Sequence, residues 1–404
     1  MKIVISHPHG NQNTSQVVKS LEKFNFLDSF WTTFAFSSKL GFFKKKVYDI
    51  EYKKVKLNIF KELFRQLCIF FKLKTLHTTD NSIFSVYSIS KDLDLKVSNY
   101  LNKNLNNSYI NGVYAYEDCA LQSFKVAKKK NIKTFYDLTS PYWRVKKKII
   151  ENELKMHPDW NLSSLEIISE NKCLDKDMEI EMSDKVIVAS SFTAQSLKLL
   201  PKKIEMDVRI IPYGVNCPKK KIINRRQLNE KFKILFVGRP ILSKGIHYLI
   251  KILNDLEFPW ELEVAGSVPE KPYMISKQVD KFFRDDRCKF LGQISNNLVI
   301  NKMKKSHVFL FPSLFEGFGQ VILESMSCSL PTITTLNTCG TDIIEHKKNG
   351  YLTDIGDVEN TKEILNNLYD NEELRLSIAE NSYLNSKKYS WELYEKNLKN
   401  LFIN

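Results

Sequence analysis

The stretch HVFLFPSLFEGFGQVILESMSCSLP (307–331) contains, in order, an apolar run, a loop with two glycines and a helical pattern. The run HVFLF has the length of a buried strand, and Pro331 stops a helix that is predicted to run to about Ser329. Gly317 and Gly319 let the backbone of the loop approach another group closely. A strand, a glycine loop and a helix N-terminus in this order predict one unit of a parallel α/β sheet.

Similar units occupy most of the 404 residues, which is too long a chain for one ordinary core. The pattern restarts after residues 217–231, a stretch rich in Lys, Asn and Arg that we interpret as a linker. We therefore predict an α/β fold with two Rossmann-like domains, residues 1–216 and 217–387, which face a cleft. A last helix at about 388–404 is expected to pack back on the first domain, and ligands are expected at the carboxyl ends of the strands. The predicted strands are 2–6, 31–36, 83–89, 112–116, 132–136, 185–189 and 208–212, then 233–238, 261–266, 288–292, 307–311 and 331–335.

The composition is globular, with 43% hydrophobic and 26% charged residues. The seven cysteines show neither CxxC spacing nor a disulfide framework, so we expect reduced thiols in a cytoplasmic protein. Met1 leads directly into the strand-like KIVIS, so no signal peptide is expected. The apolar run Leu67–Leu73 is too short and too basic to span a bilayer, so any membrane contact would be peripheral.

The net charge of +15 is unevenly distributed. Residues 39–74 hold eleven Lys and Arg against three acids, with aromatic and aliphatic residues between them. An amphipathic basic segment of this kind suits an anionic membrane surface, which residues 39–77 would contact. A solvated helical face over ordinary core residues explains the same pattern equally well, and both interpretations stay open.

Two carboxylates flank the glycine loop, and two cations follow the first strand of the second half. Glu316 lies in the loop and Glu324 about one turn into the helix, whose N-terminus suits a phosphate. Carboxylates bind vicinal hydroxyls, so this arrangement predicts a ligand with sugars at both ends of a diphosphate. Arg239 and Lys244 would supply the compensating charge and remove the need for a metal. Alone, either cation would more simply be a surface charge.

Glu316 and Glu324 form the E-x7-E pattern of family 4 glycosyltransferases, which the chain resembles over nearly its whole length. IPYGVN (211–216) resembles the interdomain segment of that family, and SDKVIVASSFTAQSL (183–197) resembles the segment that closes its first domain. SHPHGNQNT (6–14) resembles the first loop of a bacterial subgroup involved in glycan biosynthesis. The resemblance implies the two-domain GT-B architecture and transfer from a nucleotide-diphosphate sugar with retention of anomeric configuration.

The resemblance also implies roles for individual residues. The family is thought to react on one face of the sugar, with the leaving phosphate helping to deprotonate the acceptor. Gly10 and Asn11 would approach the donor from the first domain. The implied contacts are Arg239, Lys244, Gly10, Gln320 and Val321 with the diphosphate, Glu316, Gly317, Phe318 and Gly319 with the donor sugar, Glu324 with the ribose and Ile294 with the nucleobase.

The first domain departs from the family pattern in two places. Its first loop has Gly10 alone instead of two glycines, and Tyr136–Asp137 stands where many members have His-Asp. Asp137 is therefore the predicted catalytic carboxylate beside Glu316, with Glu117 and Asp118 as second choices. For Asp137, Glu117 and Asp118 a helix-capping role is about as probable as contact with substrate.

Other patterns of metal-ligand type favour structural roles. The tripeptides 92–94 and 175–177 have the form DxD, which holds a divalent metal in another glycosyltransferase architecture, but both fall in helical patterns. The seven histidines do not form a zinc set. His7 and His9 are expected to face the cleft, and His247 is expected to be structural. We predict neither a metal nor a cofactor.

The predicted function is a retaining, metal-independent transfer of a sugar from a nucleotide sugar to a glycan or lipid-linked acceptor in cell-surface polysaccharide biosynthesis. No nucleic-acid partner is expected. Two alternatives stay open: a non-catalytic basic protein that binds polyanions or membranes, and a non-hydrolysing nucleotide-sugar epimerase with a similar cleft. Glu316 and Glu324 together with Arg239 and Lys244 fit transfer better than either alternative.

Overall fold

The computed structural model describes residues 1–35, 50–103, 109–160, 168–201, 205–267, 282 and 284–403. In these ranges the strands form a seven-stranded and a six-stranded sheet, and neighbouring strands in both sheets are parallel. The predicted α/β fold with two Rossmann-like sheets is therefore confirmed. The strands are β1 Lys2–Ser6, β2 Leu27–Thr32, β3 Val55–Leu57, β4 Ile110–Tyr116, β5 Lys133–Leu138, β6 Lys185–Val188, β7 Asp207–Ile210, β8 Phe232–Val237, β9 Trp260–Ala265, β10 Cys288–Gly292, β11 Val308–Phe311, β12 Thr332–Thr335 and β13 Tyr351–Thr353.

The first sheet has the order β3-β2-β1-β4-β5-β6-β7. Two predicted strands in this half are wrong. Residues 83–89 enter the helix Val86–Lys103, and β2 begins at Leu27, before the predicted range 31–36, whose last residue lies outside the described ranges. The helices of this half span Gln12–Lys23, Phe60–Phe70, Val86–Lys103, Leu121–Lys129, Trp143–Met156, Glu170–Glu181 and Ser191–Ser196.

The second sheet has the order β10-β9-β8-β11-β12-β13. Its first five strands in chain order match the predicted ones to within one residue at either end, and β13 was not predicted. The apolar residues of β8 and β11 are buried, as expected for central strands of a parallel sheet. The helices of this half span Ile246–Asn254, Asn296–Met303, Gln320–Ser327, Gly340–Ile343, Val358–Asp370, Glu372–Ser386 and Trp391–Ile403.

The last strand of the first sheet ends at residue 210, and the first strand of the second sheet begins at residue 232. The predicted boundary at 216/217 lies between them. The last helix, Trp391–Ile403, returns to the first sheet and packs on the helix Gln12–Lys23. Glu395 accepts a hydrogen bond of 2.6 Å from Lys23, and the ring of Phe402 lies 5.2 Å from that of Phe135. The last helix therefore covers one face of β4 and β5.

A second connection between the halves is a buried polar junction. Glu153, on the helix Trp143–Met156, accepts a hydrogen bond of 2.8 Å from the hydroxyl of Tyr248. One carboxylate oxygen of Glu153 also lies 3.0 Å from Nε2 of His247. His247 and Glu153 are nearly fully buried, so this junction holds the first helix of the second half against the first half.

Candidate functional site

The loop after β11 is docked on a short turn, Leu242–Lys244, that follows β8. The ammonium group of Lys244 forms an ion pair with the carboxylate of Glu316. Ser313 donates a hydrogen bond of 2.9 Å to the same carboxylate oxygen, and the amide of Leu314 donates one of 2.9 Å to the carbonyl of Ser243. The structure therefore brings Lys244 and Glu316 together at the carboxyl ends of β8 and β11.

Arg239 lies at the end of β8, where the strand ends approach one another closely. A Cβ at Gly266 would collide with the carbonyl of Gly238, so only glycine allows this approach. Arg239 is exposed, and its Nε donates a hydrogen bond of 2.8 Å to the hydroxyl of Ser267. Its guanidinium group is accessible from solvent beside the carboxyl edge of the sheet.

The glycine loop of the second domain contacts the first domain directly. Gly319 has a positive φ of 88° and caps the helix Gln320–Ser327. A Cβ at Gly317 would collide with the carbonyl oxygen of Thr139. The carbonyl of Gly317 accepts hydrogen bonds from Ser190 (2.6 Å) and Thr193 (2.8 Å). This loop is therefore a contact between the two domains, and a side chain at position 317 would push them apart at this point.

The loop residue Phe318 and the first two helix residues, Gln320 and Val321, have different surroundings. Phe318 is 3% exposed and packs against Tyr213, so its side chain belongs to the core. Gln320 donates a hydrogen bond of 2.9 Å to the carbonyl of Gly214, and among the described residues its buried Oε1 has no hydrogen-bond partner. Val321 is half-buried. The first amides of a helix have no partner within the helix, so those of Gln320 and Val321 are available to an anion.

Glu324 and Ile294 are brought to the same region by the helix Asn296–Met303. Asn296, the first residue of that helix, donates a hydrogen bond of 3.0 Å to the carboxylate of Glu324. Burial raises the pKa of Glu324, and the hydrogen bond from Asn296 lowers it in part. Ile294 is partly buried against the core two residues before Asn296. The hydrogen bond from Asn296 therefore joins the helix that carries Glu324 to the segment that carries Ile294.

The first loop of the first domain holds Gly10 and His7 in one turn. Gly10 has a φ of 57°, and its amide donates a hydrogen bond of 2.9 Å to Nδ1 of His7. Burial and the neighbouring His9 lower the pKa of His7 to about 3, so its ring is neutral at pH 7. Asn11 caps the next helix by accepting a hydrogen bond of 2.8 Å from the amide of Thr14. The Asn11 carboxamide oxygen is thus committed to the fold.

Tyr136 and Asp137 point to opposite sides of β5, as successive strand residues do. Asp137 is 3% exposed and accepts a hydrogen bond of 2.6 Å from the hydroxyl of Tyr114. Burial raises the pKa of Asp137 to about 7, and the hydroxyls of Tyr114 and Tyr116 lower it in part. Tyr136 donates a hydrogen bond of 2.9 Å to Glu179. The catalytic role of Asp137 stays a prediction, and its burial favours a structural one.

Glu117 directly follows β4 and is connected to the glycine loop through Ser140. It accepts a hydrogen bond of 2.9 Å from Ser140, and the Cα of Ser140 is 3.0 Å from the position that a Cβ of Gly317 would take. Burial would raise the pKa of Glu117, but the charges of Lys176 and Lys146 outweigh it and lower the pKa to about 2. Glu117 is therefore ionised beside the loop that carries Glu316.

The carboxylates of the two DxD tripeptides have separate partners. Asp92 accepts a hydrogen bond of 2.7 Å from Asn58, whereas Asp94 accepts from two amides at the start of the helix Leu121–Lys129. Asp175 pairs with Lys91 at 2.9 Å, whereas Asp177 pairs with Arg144 at 2.7 Å. Each carboxylate therefore fixes a different element of the fold.

One group of metal-ligand type was not foreseen from the sequence. Ligand atoms of Glu153, His157 and His247 lie within 4.8 Å of one another at the junction between the halves. His157 is also 3.3 Å from the hydroxyl of Tyr248. The three residues are separated by up to 94 positions in the chain, so no spacing rule could have grouped them.

Sequence reasoning also missed the residues of the first domain that hold the glycine loop. Ser190 and Thr193 donate to Gly317, and Lys176 pairs with Glu117 at 2.5 Å. Ser190 and Thr193 lie in the segment 183–197, whose resemblance to a family motif was the available signal.

The two parallel sheets have the fold of GT-B glycosyltransferases, which solved glycosyltransferase structures share. Residues 218–385, which carry Glu316 and Glu324, match the family model described as Glycosyl transferases group 1. The resemblance to a glycosyltransferase family that the E-x7-E pattern predicts is therefore confirmed.

Individual relatives agree with this assignment. An uncharacterized glycosyltransferase of Methanocaldococcus jannaschii is 32% identical over 213 residues, covering 52% of this chain and 56% of the relative. The capsular polysaccharide biosynthesis glycosyltransferase CapM of Staphylococcus aureus is 28% identical over 43% of this chain and 47% of CapM. The matches thus span about half the length of these two relatives. The crystal structure of Anabaena HepE in complex with UDP and glucose has a TM-score of 0.66 at 15% identity over 100% of both chains, which shows the shared fold.

Proposed function

We propose that this chain transfers a sugar from a nucleotide-diphosphate donor to a glycan or lipid-linked acceptor in cell-surface polysaccharide biosynthesis. The observation that carries the proposal is the ion pair of Lys244 with Glu316, placed at the carboxyl ends of β8 and β11 beside a loop that contacts the first domain. A cation and a carboxylate at this edge suit a diphosphate and the hydroxyls of a sugar. The complex of HepE with UDP and glucose supports a nucleotide-sugar donor. The described role of CapM in capsular polysaccharide biosynthesis supports a glycan product.

Arg239 and Lys244 would contact the donor diphosphate, together with Gly10 and the amides of Gln320 and Val321. Arg239 is exposed at the end of β8, so it can turn to a phosphate without losing a buried partner. The donor displaces Lys244 from its pair with Glu316, which frees the carboxylate for sugar hydroxyls. The remaining assignments are Gly317, Phe318 and Gly319 by their backbone for the donor sugar, Glu324 for the ribose and Ile294 for the nucleobase.

The transfer would retain the anomeric configuration and require no metal. Two fixed cations next to the leaving diphosphate stabilise the negative charge that develops on it, which is the role a metal has elsewhere. Reaction on one face of the sugar then needs no protein nucleophile. Glu117 is ionised near this loop but is paired with Lys176, so it orients groups around the acceptor rather than taking up its proton.

The helix Phe60–Phe70 supports a peripheral contact with the inner face of the cell membrane. Phe60, Phe64 and Phe70 are 74%, 52% and 77% exposed, an unusual exposure for aromatic residues. Exposed lysines lie near both ends of the helix, at Lys56 and Lys72. Apolar and cationic groups therefore face solvent together, which suits an anionic bilayer surface. Residues 39–49 of the predicted surface 39–77 lie outside the described ranges. No helix among the described residues is long and apolar enough to cross a membrane.

The donor half of the proposal is tested by heat stability. The purified chain is mixed in turn with UDP, GDP, ADP, CMP and dTDP, and we expect one nucleoside diphosphate to raise the unfolding temperature. Binding of a ligand at a hundred times its Kd stabilises the fold by about 2.7 kcal/mol, which is easily resolved. No shift with any nucleotide would refute the donor site.

The reaction and the metal requirement are tested with the matching nucleotide sugar. The anomeric proton of the product, followed by NMR at early times, should show the same configuration as the donor. Activity should survive an excess of EDTA. An inverted product would refute the retaining mechanism, and loss of activity on chelation with recovery on adding Mg²⁺ or Mn²⁺ would refute metal independence.

Membrane contact is tested by flotation with vesicles of phosphatidylglycerol and phosphatidylcholine. The double substitution Phe70→Ser and Phe71→Ser should release the chain from anionic vesicles without lowering its unfolding temperature. Leu228→Ser, which changes a residue that is 94% exposed in the linker, is the matched control. Equal flotation of all three proteins would refute the contact.

A further inference from the structure

A cavity of about 500 Å³ lies in the first domain, apart from the residues assigned to the donor. Its walls come from the helices Val86–Lys103 and Glu170–Glu181 and from the start of the helix Leu121–Lys129, with Lys61 at its border. We propose that this cavity binds the terminal sugar of the acceptor and selects a sugar that is neutral or carries an amino group. The proposal rests on the glycosyl transfer proposed above and adds the chemical class of the acceptor.

The cavity is built from fixed polar groups and apolar side chains. Asp175 is held by the hydroxyl of Tyr87 and by Lys91 at 2.9 Å, and Asp92 is held by Asn58 at 2.7 Å. Carboxylates held in this way keep lone pairs in fixed positions, where they can accept hydrogen bonds from sugar hydroxyls or an ammonium group. Leu95 supplies an apolar surface for the carbon face of a sugar ring. Such a mixture of apolar walls and a few oriented polar groups is typical of small-ligand sites.

The charge of the lining disfavours an anionic ligand. The cations are already paired: Lys61 lies 3.9 Å from Asp92, and Lys91 lies 2.9 Å from Asp175. A phosphate or carboxylate on the bound sugar would therefore meet carboxylates and no unpaired cation among the described lining residues. Burial and the charge of Asp118 raise the pKa of Glu179 to about 8, so Glu179 is protonated at pH 7. The acidic lining residues are Asp80, Asp92, Asp94, Asp118, Asp175 and Glu179.

The cavity is connected to the donor loop through adjacent residues. Asp118 lines the cavity, and the neighbouring Glu117 accepts a hydrogen bond of 2.9 Å from Ser140. Ser140 in turn lies against Gly317 of the donor loop. This short series of contacts places an acceptor sugar next to the donor side of the cleft.

The other border of the cavity reaches the exposed helix Phe60–Phe70. Lys61 belongs to both the cavity lining and the helix Phe60–Phe70. In the next residue of that helix, Glu62, a carboxylate oxygen lies 4.0 Å from Nδ1 of His9 in the first loop. Lys56 and Lys72 are exposed before and after this helix, whereas Lys61 and Arg65 within it are paired with carboxylates. A lipid-linked acceptor would therefore place its anionic linker at the flanking lysines and its uncharged or cationic sugar in the cavity. The separation between these lysines and the acidic cavity carries the inference.

The test measures binding of simple glycosides to the full chain in the presence of UDP by saturation-transfer NMR. The probes are the methyl glycosides of glucose, galactose, N-acetylglucosamine and glucosamine, with methyl glucuronide and glucose 6-phosphate as anionic counterparts. We expect at least one neutral or amino glycoside to bind at least about tenfold more tightly than both anions, because like charges across a close contact are unfavourable.

Leu95→Trp is the variant that fills the cavity, because Leu95 lines it and is 48% exposed. Leu174→Trp is the matched control, a leucine that is 53% exposed on the helix Glu170–Glu181 and is not among the lining residues. Leu95→Trp should abolish the glycoside signal and leave the heat-stability shift with the stabilising nucleotide unchanged, whereas Leu174→Trp should change neither.

Three results would overturn the proposal: equal or tighter binding of the anionic probes, no binding of any glycoside, or an unchanged signal in Leu95→Trp. Failure of the donor function has a separate signature. A chain that shows no shift with any nucleotide refutes the proposed transfer, whereas the glycoside signal still decides whether the cavity is a sugar site.

Discussion

The two halves of the site use ionic groups in opposite ways. In the second domain, the Lys244 and Glu316 side chains are 26% and 14% exposed, and Arg239 is open to solvent. In the first domain, the Lys176 and Glu117 side chains are only 4% and 11% exposed. A pair at an accessible edge can exchange its partner for a ligand, whereas a buried pair is costly to break and serves as a scaffold. The ion pair of the second domain, on the proposed donor side, is therefore adjustable, and that of the first domain, on the proposed acceptor side, is rigid.

The largest effect should come from Lys244→Met, which removes the accessible cation. The charge of the leaving diphosphate then lacks one of its two fixed partners, and kcat/KM for transfer should fall by about 10³-fold, in the range found when one transition-state contact is removed. Steady-state kinetics with the identified donor measure this change.

Lys251→Met is the control, because Lys251 is an exposed lysine on the helix that follows the same turn. Its kcat/KM should match that of the unmodified chain. If Lys244→Met retained more than a tenth of the activity, the accessible pair would have no role in transfer.

The next effect concerns the buried side, through Asp137→Asn. A carboxyl whose pKa is raised by folding holds its proton more tightly in the folded chain. Its contribution to stability is complete below the unfolded value of 3.8 and is lost as the pH rises through about 7. Three pKa units correspond to about 4 kcal/mol. The Asn oxygen can still accept the hydrogen bond from Tyr114, but its buried NH2 group has no acceptor, which offsets about 1 kcal/mol. The variant should therefore be about 3 kcal/mol more stable than the unmodified chain at pH 8 and less stable at pH 4.

Urea unfolding at pH 4, 6 and 8 measures this crossing, with the exposed Asp159→Asn as a variant that should show none. Parallel stability profiles for Asp137→Asn and the unmodified chain would contradict the scaffold role. A loss of transfer of more than about 100-fold in a stable Asp137→Asn variant would instead establish the catalytic role predicted from the sequence.

A smaller effect is expected where the two sides touch. In Gly317→Ala the new Cβ collides with the carbonyl of Thr139, so the donor loop must move away from the first domain. Transfer should fall by about 100-fold, because catalytic groups misplaced by about 1 Å lose this much. The heat-stability shift with the nucleotide should be largely retained, since all the proposed diphosphate contacts except Gly10 lie in the second domain.

Gly292→Ala separates this collision from simple backbone strain. Gly292 also has a positive φ, of 64°, but a Cβ there has no neighbour within 4 Å. It should lose about 1 kcal/mol of stability and little activity. Equal losses of transfer in the two variants would show that strain, and not separation of the halves, is responsible.

The same division explains what could be predicted from the sequence. The donor loop is local: strand, Glu316, glycines and helix lie within residues 308–327, so their order fixes their geometry. In the first domain, Ile83–Ile89 reads as an apolar strand, but Tyr87, Leu93 and Val97 are buried at a helical period that continues beyond it.

The burial of Asp137 could not be predicted from the sequence, because it has a non-local cause. Its residue type and its place at the end of β5 suit a catalytic group, but the side of the strand on which it lies is closed by distant residues. The last helix packs on that face through Phe402, more than 250 positions later. Likewise, the local sequence shows Ser190 and Thr193 only as residues at the start of a helix. Their contact with the glycine loop depends on the packing of the other domain. Local patterns predict which residues end a strand, and tertiary packing decides which of them reach the cleft.

The smallest effect should come from Tyr248→Phe, at the junction where the two halves share one carboxylate. The substitution removes the hydroxyl that donates to Glu153 at 2.8 Å but leaves His247 at 3.0 Å from the same oxygen. One hydrogen bond to a buried carboxylate that keeps another partner is worth about 1–2 kcal/mol, so the free energy of unfolding should fall by that amount. Tyr369→Phe, whose ring stacks on Phe258, is the control and should change stability by less. If Tyr248→Phe also weakened nucleotide binding tenfold, the junction would transmit the state of the rigid half to the adjustable half, and the two sides would not be independent.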